Sequence, residues 1–389
     1  MRHNIWLAYY LSFLKNTWFW LGIWIFYYLR FTDYAGIGVI ETVLIATMTL
    51  SEIPTGAFAD LIGKKPTIIL AFFVQAAGNI FMGIAPSFIF LVGSVFVAGL
   101  GGTLLSGTLE ALVYDSLKAQ KKEDEYDKVI SNMNTLQLIA PAVCGVIGGY
   151  LYTISPGLPF IAAGIMYLIG TLLGLFLTEP AIDSVKFSLA NFVKQTKEGL
   201  LELTKTVDIK TQTILLLSIG VIVVIADEMI NSFLGVEFGF SETQMGVLWS
   251  VIFLVSAAAS QATPFLRKYV SANSAILLLG LTMAATFIIS PVAGLVVGGL
   301  SLLLRSALQA VFSNISSVVI NNNTESKYRA TTLSTFNMIK NIPYLATAYF
   351  IGMMADTYSA KTTSVFLGAL MLVFVVAQFL VAKRKRTNF

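Results

Sequence analysis

Long apolar runs recur along this chain, and they limit its possible folds more than any other feature of the sequence. An α-helix rises about 1.5 Å per residue, so a run of about 18 to 20 apolar residues crosses a hydrocarbon core about 30 Å thick. We identify twelve such runs and predict that each is a transmembrane helix. The predicted spans are residues 5–29, 37–59, 67–85, 88–116, 129–153, 158–178, 212–234, 242–265, 273–290, 292–320, 330–353 and 362–382.

The composition agrees with a chain that lies mostly in a membrane. Hydrophobic residues make up 56% and charged residues 12% of the 389 positions, whereas soluble domains carry about 25% charged residues. The first run is too long, too aromatic and too polar at its centre for a cleavable signal peptide. The sequence therefore predicts an all-α integral membrane protein that crosses the membrane many times.

The positions of the basic residues predict the orientation. With the N-terminus in the cytoplasm, all but five of the 25 Lys and Arg residues fall in tails and loops on the cytoplasmic side. Arg30 and Lys361 lie on the outer side, and Lys15, Arg305 and Lys340 lie within spans. Basic residues concentrate on the cytoplasmic side of membrane proteins. We therefore expect a multi-pass protein of the cytoplasmic (inner) membrane with both termini in the cytoplasm.

The longest polar segment divides the chain into two halves of six spans each. We predict an N-terminal bundle at residues 1–178, a cytoplasmic amphipathic linker at 179–211 and a C-terminal bundle at 212–389. The halves resemble each other weakly, since Leu105–Leu112 (LSGTLEAL) aligns with Leu304–Val311 (LRSALQAV). Both segments end the fourth span of their half, as expected for the duplicated six-helix unit of a secondary transporter.

A polar motif between spans two and three points to a family. The stretch GAFADLIGKK fits the loop signature G-x-x-x-D-x-x-G-[RK]-[RK] of the major facilitator superfamily, with Gly56, Asp60, Gly63, Lys64 and Lys65 in register. The chain resembles this superfamily over its full length, because its twelve spans form two sets of six. The resemblance implies two pseudo-symmetric six-helix bundles and alternating access around a site near the membrane midplane.

The motif residues are predicted to act in gating. Gly63 permits a tight turn, and a basic residue of the motif can pair with Asp115 at the inner end of span four. In the family this network latches the two halves in the outward-open state, and the resemblance places Asp60 at the start of span eleven near Ala330.

The corresponding motif of the second half is degraded. Ala259, Thr263 and Leu266 stand where Gly, Asp and Gly are expected, and only the basic pair Arg267 and Lys268 persists. We therefore expect a weaker latch in the second half.

Charged residues within the predicted spans mark the candidate transport site. A charge in the hydrocarbon is costly, so it usually faces protein or a water-filled cavity and has a function. Spans three, six, nine and twelve carry no charge, and in the family these spans face lipid. The candidate substrate-binding residues are Lys15, Asn16, Trp18, Phe19, Arg305, Gln309, Lys340 and Asn341. The candidate proton-coupling residues are Glu52, Glu110, Asp227 and Glu228.

Two hypotheses remain open for these charges. In the first, Lys15, Arg305 and Lys340 bind an anionic group of the substrate while a buried acid takes up a proton, because desolvation disfavours the charged carboxylate. In the second, each cation is neutralised by a fixed acidic partner, for example Arg305 by Asp227, and the cavity recognises another chemistry.

Aromatic residues of span one also allow two interpretations. Trp18 and Phe19 follow Lys15 by three and four residues, so they share its face of a helix and could pack on an apolar part of the substrate. The alternative is an aromatic belt at the membrane interface.

Span five does not settle the direction of transport. The stretch Ala140–Gly149 (APAVCGVIGG) resembles the Gly/Pro motif of proton antiporters in the superfamily, but Ala replaces its Gly and its spacing differs. The alternative is that its glycines simply allow close helix packing.

Other classes of protein fit the sequence poorly. The single Cys and the single His oppose cysteine or histidine metal sites, and no hydrolase or metalloprotease motif occurs. We expect no enzyme activity, no cofactor, no metal and no nucleic-acid partner. The partners expected are a small-molecule substrate, protons and membrane lipids, for a monomeric protein.

The sequence thus predicts a secondary active transporter, coupled to protons, that exports a small organic or amphipathic anion. The alternatives are proton-coupled efflux of hydrophobic cationic drugs and a ligand sensor that does not transport.

Overall fold

The computed structural model describes residues 2–180, 189–325 and 328–387, without the side chains of some helical residues that include Gly56, Asp60 and Ala330. Within these residues the secondary structure is helical and contains no β-strand. The described α-helices, α1 to α16, are Arg2–Lys15, Trp24–Tyr28, Tyr34–Ile62, Lys64–Gly83, Phe88–Leu105, Thr108–Lys118, Tyr126–Ile154, Leu158–Gly174, Leu189–Thr204, Val207–Ile225, Asn231–Glu237, Glu242–Tyr269, Ala272–Ile288, Leu295–Asn323, Arg329–Tyr358 and Ala360–Thr387. Short 3₁₀-helices lie at Glu123–Glu125 and Ser290–Val292, and a π-helical turn lies at Ala226–Ile230.

Each predicted span falls on one or two of these helices. The described helical segments that are long and apolar enough to cross a membrane are Tyr34–Glu52, Lys64–Gly83, Phe88–Lys118, Glu123–Ile154, Val207–Glu237, Glu242–Tyr269, Leu295–Asn323 and Ala360–Leu380. The sixth and ninth predicted spans, α8 and α13, are apolar helices of 17 residues each.

The first predicted span is not one continuous helix. α1 ends at Lys15 and α2 begins at Trp24, and Gly22 between them has a φ of +81°, which few residues other than Gly adopt. Asn16 and Thr17 donate side-chain hydrogen bonds to backbone carbonyls in the last turns of α1, at 3.0 and 2.8 Å. These bonds satisfy carbonyls that a continuing helix would use. The prediction of an unbroken helix over residues 5–29 is therefore wrong.

The seventh predicted span contains an irregular turn at its centre. α10 runs into the π-helical turn Ala226–Ile230, which runs directly into α11. A π-turn inserts an extra residue into an α-helix and recurs at functional sites. Asp227 and Glu228 lie in this turn.

The described chain divides into two compact units. Unit one contains the described residues within Met1–Thr32, Ile40–Leu189 and Glu242–Phe253. Unit two contains those within Asp33–Val39, Ala190–Ser241 and Leu254–Phe389. Helices α3 and α12 each contribute residues to both units.

Unit one is packed around apolar side chains from several helices. Leu11 of α1, Phe72 of α4, Leu109 of α6, Met133 of α7 and Tyr167 of α8 are buried in one core cluster. Lipid tails are as apolar as these side chains, so close van der Waals packing rather than the hydrophobic effect holds such helices together.

The predicted linker contains a helix that packs on unit two. Residues 181–188 of the linker lie outside the described part of the chain, and α9 follows them. Leu203 of α9 is buried, whereas Val193, Leu200 and Leu201 are exposed. α9 therefore buries one edge in its unit and leaves other apolar side chains on the surface.

Candidate functional site

Two adjacent acids and one lysine form a charged cluster in unit two. Asp227 and Glu228 are both exposed in the π-helical turn. The half-buried ammonium group of Lys340 on α15 interacts electrostatically with both carboxylates. Among the described ion pairs, none joins Lys340 directly to either acid at 4.0 Å or less. We call Asp227, Glu228 and Lys340 the acidic cluster, because its two acids outnumber its one base.

Neighbouring helices position the acidic cluster. The aliphatic stem of Lys340 lies against α10, since a Cβ added at Gly220 would be 3.0 Å from its Cδ atom. The side chain of Gln309 on α14 lies next to the Asp227 carboxylate, and its Oε1 atom is buried without a hydrogen-bond partner. Asn341 is exposed and makes no described hydrogen bond to the cluster. The structure therefore brings together four of the predicted site residues and leaves Asn341 outside.

Arg305 lies buried in unit two with neutral partners. Its side chain is 1% exposed. Its Nε and Nη2 atoms donate to the hydroxyl and the carbonyl of Thr286, at 3.1 and 2.9 Å, and Nη1 donates to Asn231 Oδ1 at 2.7 Å. The guanidinium carbon also lies 3.9 Å from the centroid of the Phe287 ring, a favourable cation–π distance.

These contacts show which partners the three predicted cations have in the structure. The suggested pairing of Arg305 with Asp227 is absent, and oxygens of Thr286 and Asn231 accept hydrogen bonds from the guanidinium group instead. Lys340 belongs to the acidic cluster, and Lys15 belongs to unit one.

Lys15 forms an ion pair in unit one. Its Nζ atom lies 3.4 Å from Glu110 Oε1, and the two side chains are 24% and 29% exposed. The other carboxylate oxygen of Glu110 is buried and has no hydrogen-bond partner. Lys15 and Glu110 therefore neutralise each other while one acceptor stays open.

The other predicted site residues of span one have mainly structural contacts. Asn16 is buried and bonds to its own helix end, and Phe19 belongs to the core of unit one. Trp18 stacks on Trp20, with ring centroids 5.7 Å apart, and meets Phe253 edge-on. Of these three side chains, Trp18 alone is incompletely buried.

The polar loop before α4 in unit one contacts two acids. The predicted ion pair between Lys64 and Asp115 is present. In addition, Glu179 accepts hydrogen bonds from the backbone N–H groups of Lys64 and Lys65, at 2.8 and 2.6 Å. Gly63 precedes them with a φ of +101°, and a Cβ there would meet the Glu179 carboxyl group at 3.0 Å. The loop thus combines an ion pair with a carboxylate cap on the start of α4.

The equivalent position of the second half uses neutral groups. Asn314, which aligns with Asp115, donates from Nδ2 to Ser260 Oγ at 2.8 Å and to Thr263 Oγ1 at 3.2 Å. Neutral hydrogen bonds are weaker than charge-assisted ones. The expected weakening of the second-half latch agrees with this replacement, and its effect on gating stays a prediction.

The remaining predicted residues are placed as follows. Glu52 is exposed at the centre of α3, and its side chain makes no described hydrogen bond or ion pair. Gly56 and Asp60 lie outside the residues whose side chains are described. Their gating role therefore stays a prediction.

Sequence reasoning missed several residues that build these sites. Asn231 and Thr286 hold Arg305, and Glu179 caps α4. Asn231 follows Asp227 by four residues, a spacing that places both near one helix face. The sequence could therefore have indicated Asn231 as a candidate site residue. Glu179 and Thr286 carry no such signal, because each acts on a helix distant in sequence.

Comparison with known proteins identifies a family and several relatives that match much of the chain. The family model described as Major Facilitator Superfamily matches residues 5–347. An uncharacterized MFS-type transporter, YxaM of Bacillus subtilis (strain 168), is 26% identical over 281 residues, which cover 69% of this chain and 68% of that protein.

Two relatives carry names that refer to multidrug resistance. MdtL of Shewanella sp. (strain ANA-3) is 25% identical over 61% of this chain and 58% of its own length. MdtH of Baumannia cicadellinicola subsp. Homalodisca coagulata is 30% identical, but over only 31% of this chain and 29% of its own length.

Solved structures agree in fold. The crystal structure of the nucleoside transporter NupG has a TM-score of 0.80 and 14% identity, covering 98% of this chain and 99% of NupG. A POT family transporter in complex with 5-aminolevulinic acid has a TM-score of 0.78 and 12% identity, covering 98% of this chain and 96% of that structure. At such low identity these likenesses describe the fold alone.

Proposed function

The chain belongs to the major facilitator superfamily, and on that premise we propose that this membrane transporter exports amphipathic organic cations in exchange for protons. The transporter alternates access to its substrate site between the two sides of the membrane. Asp227 and Glu228 bind the cationic group and, at another step, protons.

The charge of the acidic cluster carries this proposal. Its two carboxylates face a single ammonium group and are exposed, so one negative charge is left for a ligand. Arg305 has neutral partners and is 1% exposed. Lys15 has its own acid. Among the predicted site residues of unit two, the uncompensated charge that a substrate can reach is therefore negative.

Proton coupling follows from the same arrangement. Two adjacent carboxylates repel each other when both are ionised, so one of them readily takes up a proton when no cation is bound. A bound organic cation favours the ionised form instead. Substrate and proton thus compete for the same charge, which is the requirement for exchange. The multidrug-resistance names of MdtL and MdtH support the export part of the proposal.

Transport of an organic anion is the competing function. The observation in its favour is that Arg305 has no acidic partner among the described residues around it. Against it, Thr286 and Asn231 already accept from three of the five guanidinium N–H donors, and Arg305 is 1% exposed, so an anion could reach the other two only if the surrounding packing opened.

Thermal stabilisation by ligands separates the two functions. A ligand that binds the native state raises its stability by mass action. We would measure the unfolding temperature of the purified protein with lipophilic cations and with organic anions, at pH 6 and pH 8. The variants are Asp227→Asn, Arg305→Ala and, as a control on the same helix as Lys340 but outside the cluster, Asn341→Ala.

The expected result is stabilisation by cations, greater at pH 8 than at pH 6, that Asp227→Asn removes and Asn341→Ala retains. Stabilisation by anions that Arg305→Ala removes would instead assign the protein to anion transport. A ligand that stabilises the protein but is not moved across the membrane of proteoliposomes would indicate a sensor.

A further inference from the structure

The linker helix α9 exposes apolar and basic side chains together. Val193, Leu200 and Leu201 are 59%, 47% and 59% exposed, and spacings of seven and eight residues place them on one side of the helix. Lys194 and Lys197 are also exposed and lie within two turns of these side chains. Such a combination is typical of amphipathic helices that lie in the interface of a membrane.

The packed side of α9 defines its level along the neighbouring helices. A Cβ added at Gly199 would lie 2.4 Å from Thr335 Oγ1 of α15 and 3.0 Å from the carbonyl oxygen of Thr331. The hydroxyl of Thr213 on α10 donates to the carbonyl oxygen of Leu203 at 2.9 Å. All these residues belong to unit two. α9 therefore lies beside α10 and α15 rather than beyond their ends.

The level of α9 coincides with a predicted boundary of the membrane. Thr213 and Thr335 each lie six positions after the first residue of their helix, or about 9 Å along it at about 1.5 Å per residue. The predicted apolar spans of these helices begin at residues 212 and 330, on the predicted cytoplasmic side. An interfacial helix buries its apolar side about 5 to 10 Å into the boundary between headgroups and acyl chains. The contacts of α9 fit this depth.

The charges of α9 suit contact with anionic headgroups. Glu202 forms an ion pair with Lys205 at 2.9 Å, and Glu198 is half-buried. Among the described ion pairs, none contains Lys194 or Lys197. These two lysines are therefore the exposed charges among the described side chains of α9.

We propose that α9 is a lipid-binding helix that lies in the membrane interface and holds the phosphate of an anionic phospholipid between Lys194 and Lys197. The two lysines are three residues apart on the helix, so their ammonium groups can reach one phosphate. Their aliphatic stems cover apolar surface while the charges stay at headgroup level. Val193, Leu200 and Leu201 pack on the acyl chains. The anionic lipids of a cytoplasmic leaflet attract basic segments of this kind.

A fluorescent probe on α9 tests the contact with lipid. Thr204 is exposed and follows Leu200 and Leu201 by four and three residues, so it shares their side of the helix. Gln195 is exposed nine residues earlier, which places it on the opposite side. In a protein whose native cysteine is removed by Cys144→Ala, bimane is attached at Thr204→Cys or at Gln195→Cys. Nanodiscs of phosphatidylcholine are then assembled with increasing fractions of phosphatidylglycerol or phosphatidylcholine that carries a nitroxide quencher on its acyl chain.

We expect both nitroxide lipids to quench the probe at Thr204→Cys more than at Gln195→Cys. Phosphatidylglycerol should reach half-maximal quenching at a lower mole fraction than phosphatidylcholine. Lys194→Gln combined with Lys197→Gln should reduce this preference about tenfold, the size expected for two lysines at an anionic membrane surface.

The matched control removes two exposed lysines of unit one, Lys118→Gln with Lys121→Gln. It changes the net charge equally and should leave the preference for phosphatidylglycerol unchanged. An equal loss of preference in the control would assign the effect to the charge of the whole protein and overturn the site on α9. Unfolding temperatures of all variants verify that each retains its fold.

Two further results would also contradict the proposal. Equal quenching by both lipids that does not respond to loss of Lys194 and Lys197 would exclude recognition of the headgroup. No quenching at either probe position would place α9 in water, where its apolar side would need a soluble protein partner instead. The lipid contact does not depend on the proposed exchange of cations and protons. A protein that shows this quenching but no transport in proteoliposomes would therefore lose the proposed function and keep the lipid-binding helix.

Discussion

At the scale of single residues, Arg305 is a buried charge that is held by neutral partners. A buried charge needs hydrogen bonds to compensate for the loss of its hydration. Here Thr286 and Asn231 accept these bonds, and the Phe287 ring adds a cation–π contact. These contacts join α13, α14 and α11 one turn beyond the acidic cluster. Arg305 therefore helps to fix the helix that carries Asp227.

Loss of one partner of Arg305 is expected to cost stability. Asn231→Ala removes the acceptor at 2.7 Å and leaves a charged donor unsatisfied in the protein interior. We expect the free energy of unfolding to fall by about 1.5 to 3 kcal/mol, measured by thermal or denaturant unfolding in detergent. The exposed Asn341 provides the control, since Asn341→Ala removes no described contact. Equal effects of the two substitutions would contradict this account of Arg305.

At the scale of helices, the start of α4 is anchored by two acids. The ion pair of Lys64 with Asp115 and the cap by Glu179 act on the same turn. The second-half counterpart relies on the amide of Asn314. The two halves thus have a polar residue at the equivalent position, which is the acid Asp115 in the first half and the neutral amide Asn314 in the second.

A double-mutant cycle measures the anchoring of α4. Lys64 and Asp115 are 16% and 15% exposed, so the single substitutions Lys64→Ala and Asp115→Ala should be non-additive by about 0.5 to 3 kcal/mol. The matched pair is Lys122 and Glu125, 51% and 46% exposed, for which a coupling of about 0.3 to 0.5 kcal/mol is expected. A coupling at α4 no larger than that of the exposed pair would remove the ion pair from the anchoring.

Asp60 lies near the C-terminal end of α3, and its predicted gating role is tested by Asp60→Asn. If Asp60 stabilises one conformation, the substitution slows transport while ligand binding is largely retained. Transport rate in proteoliposomes and ligand-induced thermal stabilisation measure the two quantities on one protein preparation. The control is Asp124→Asn in the 3₁₀-helix Glu123–Glu125, an exposed acid outside the motif. An unchanged transport rate would exclude Asp60 from gating.

At the scale of the whole molecule, the sequence predicted those features that the thickness of the membrane determines. The thickness of the hydrocarbon fixes the length of an apolar run, and eight of the twelve predicted spans coincide with described helical segments long and apolar enough to cross it. The other four predicted spans also fall on helices. The break between Lys15 and Trp24 was missed, because it depends on side chains bonding to the end of their own helix.

An ion pair could be predicted from the sequence only where the positions of the two residues limit the possible partners. Lys64 and Asp115 were expected to meet because both lie at helix ends on the same predicted side of the membrane. The pairing of Lys15 with Glu110 and the neutral partners of Arg305 depend on helix rotation, which apolar length does not reveal.

The proposed exchange makes a prediction for the whole transporter. In inverted vesicles with an acidic lumen, protons leaving through the protein should drive uptake of a lipophilic cation. Collapse of the pH gradient by an ionophore should stop this uptake, and the double variant Asp227→Asn, Glu228→Gln should fail even with the gradient intact. Uptake that persists without the gradient would contradict coupling to protons.

The ion pair of Lys15 and Glu110 has a consequence for biosynthesis. The two residues are 95 positions apart, so the ribosome releases Lys15 toward the membrane well before its acid exists. A lysine at mid-membrane depth costs about 2.5 to 3.5 kcal/mol during insertion by the translocon, and the broken first span offers only a short helix in compensation. We therefore expect the first span to wait in the translocon or at its lipid edge until the fourth arrives, so the N-terminal helix enters the membrane late although it is made first.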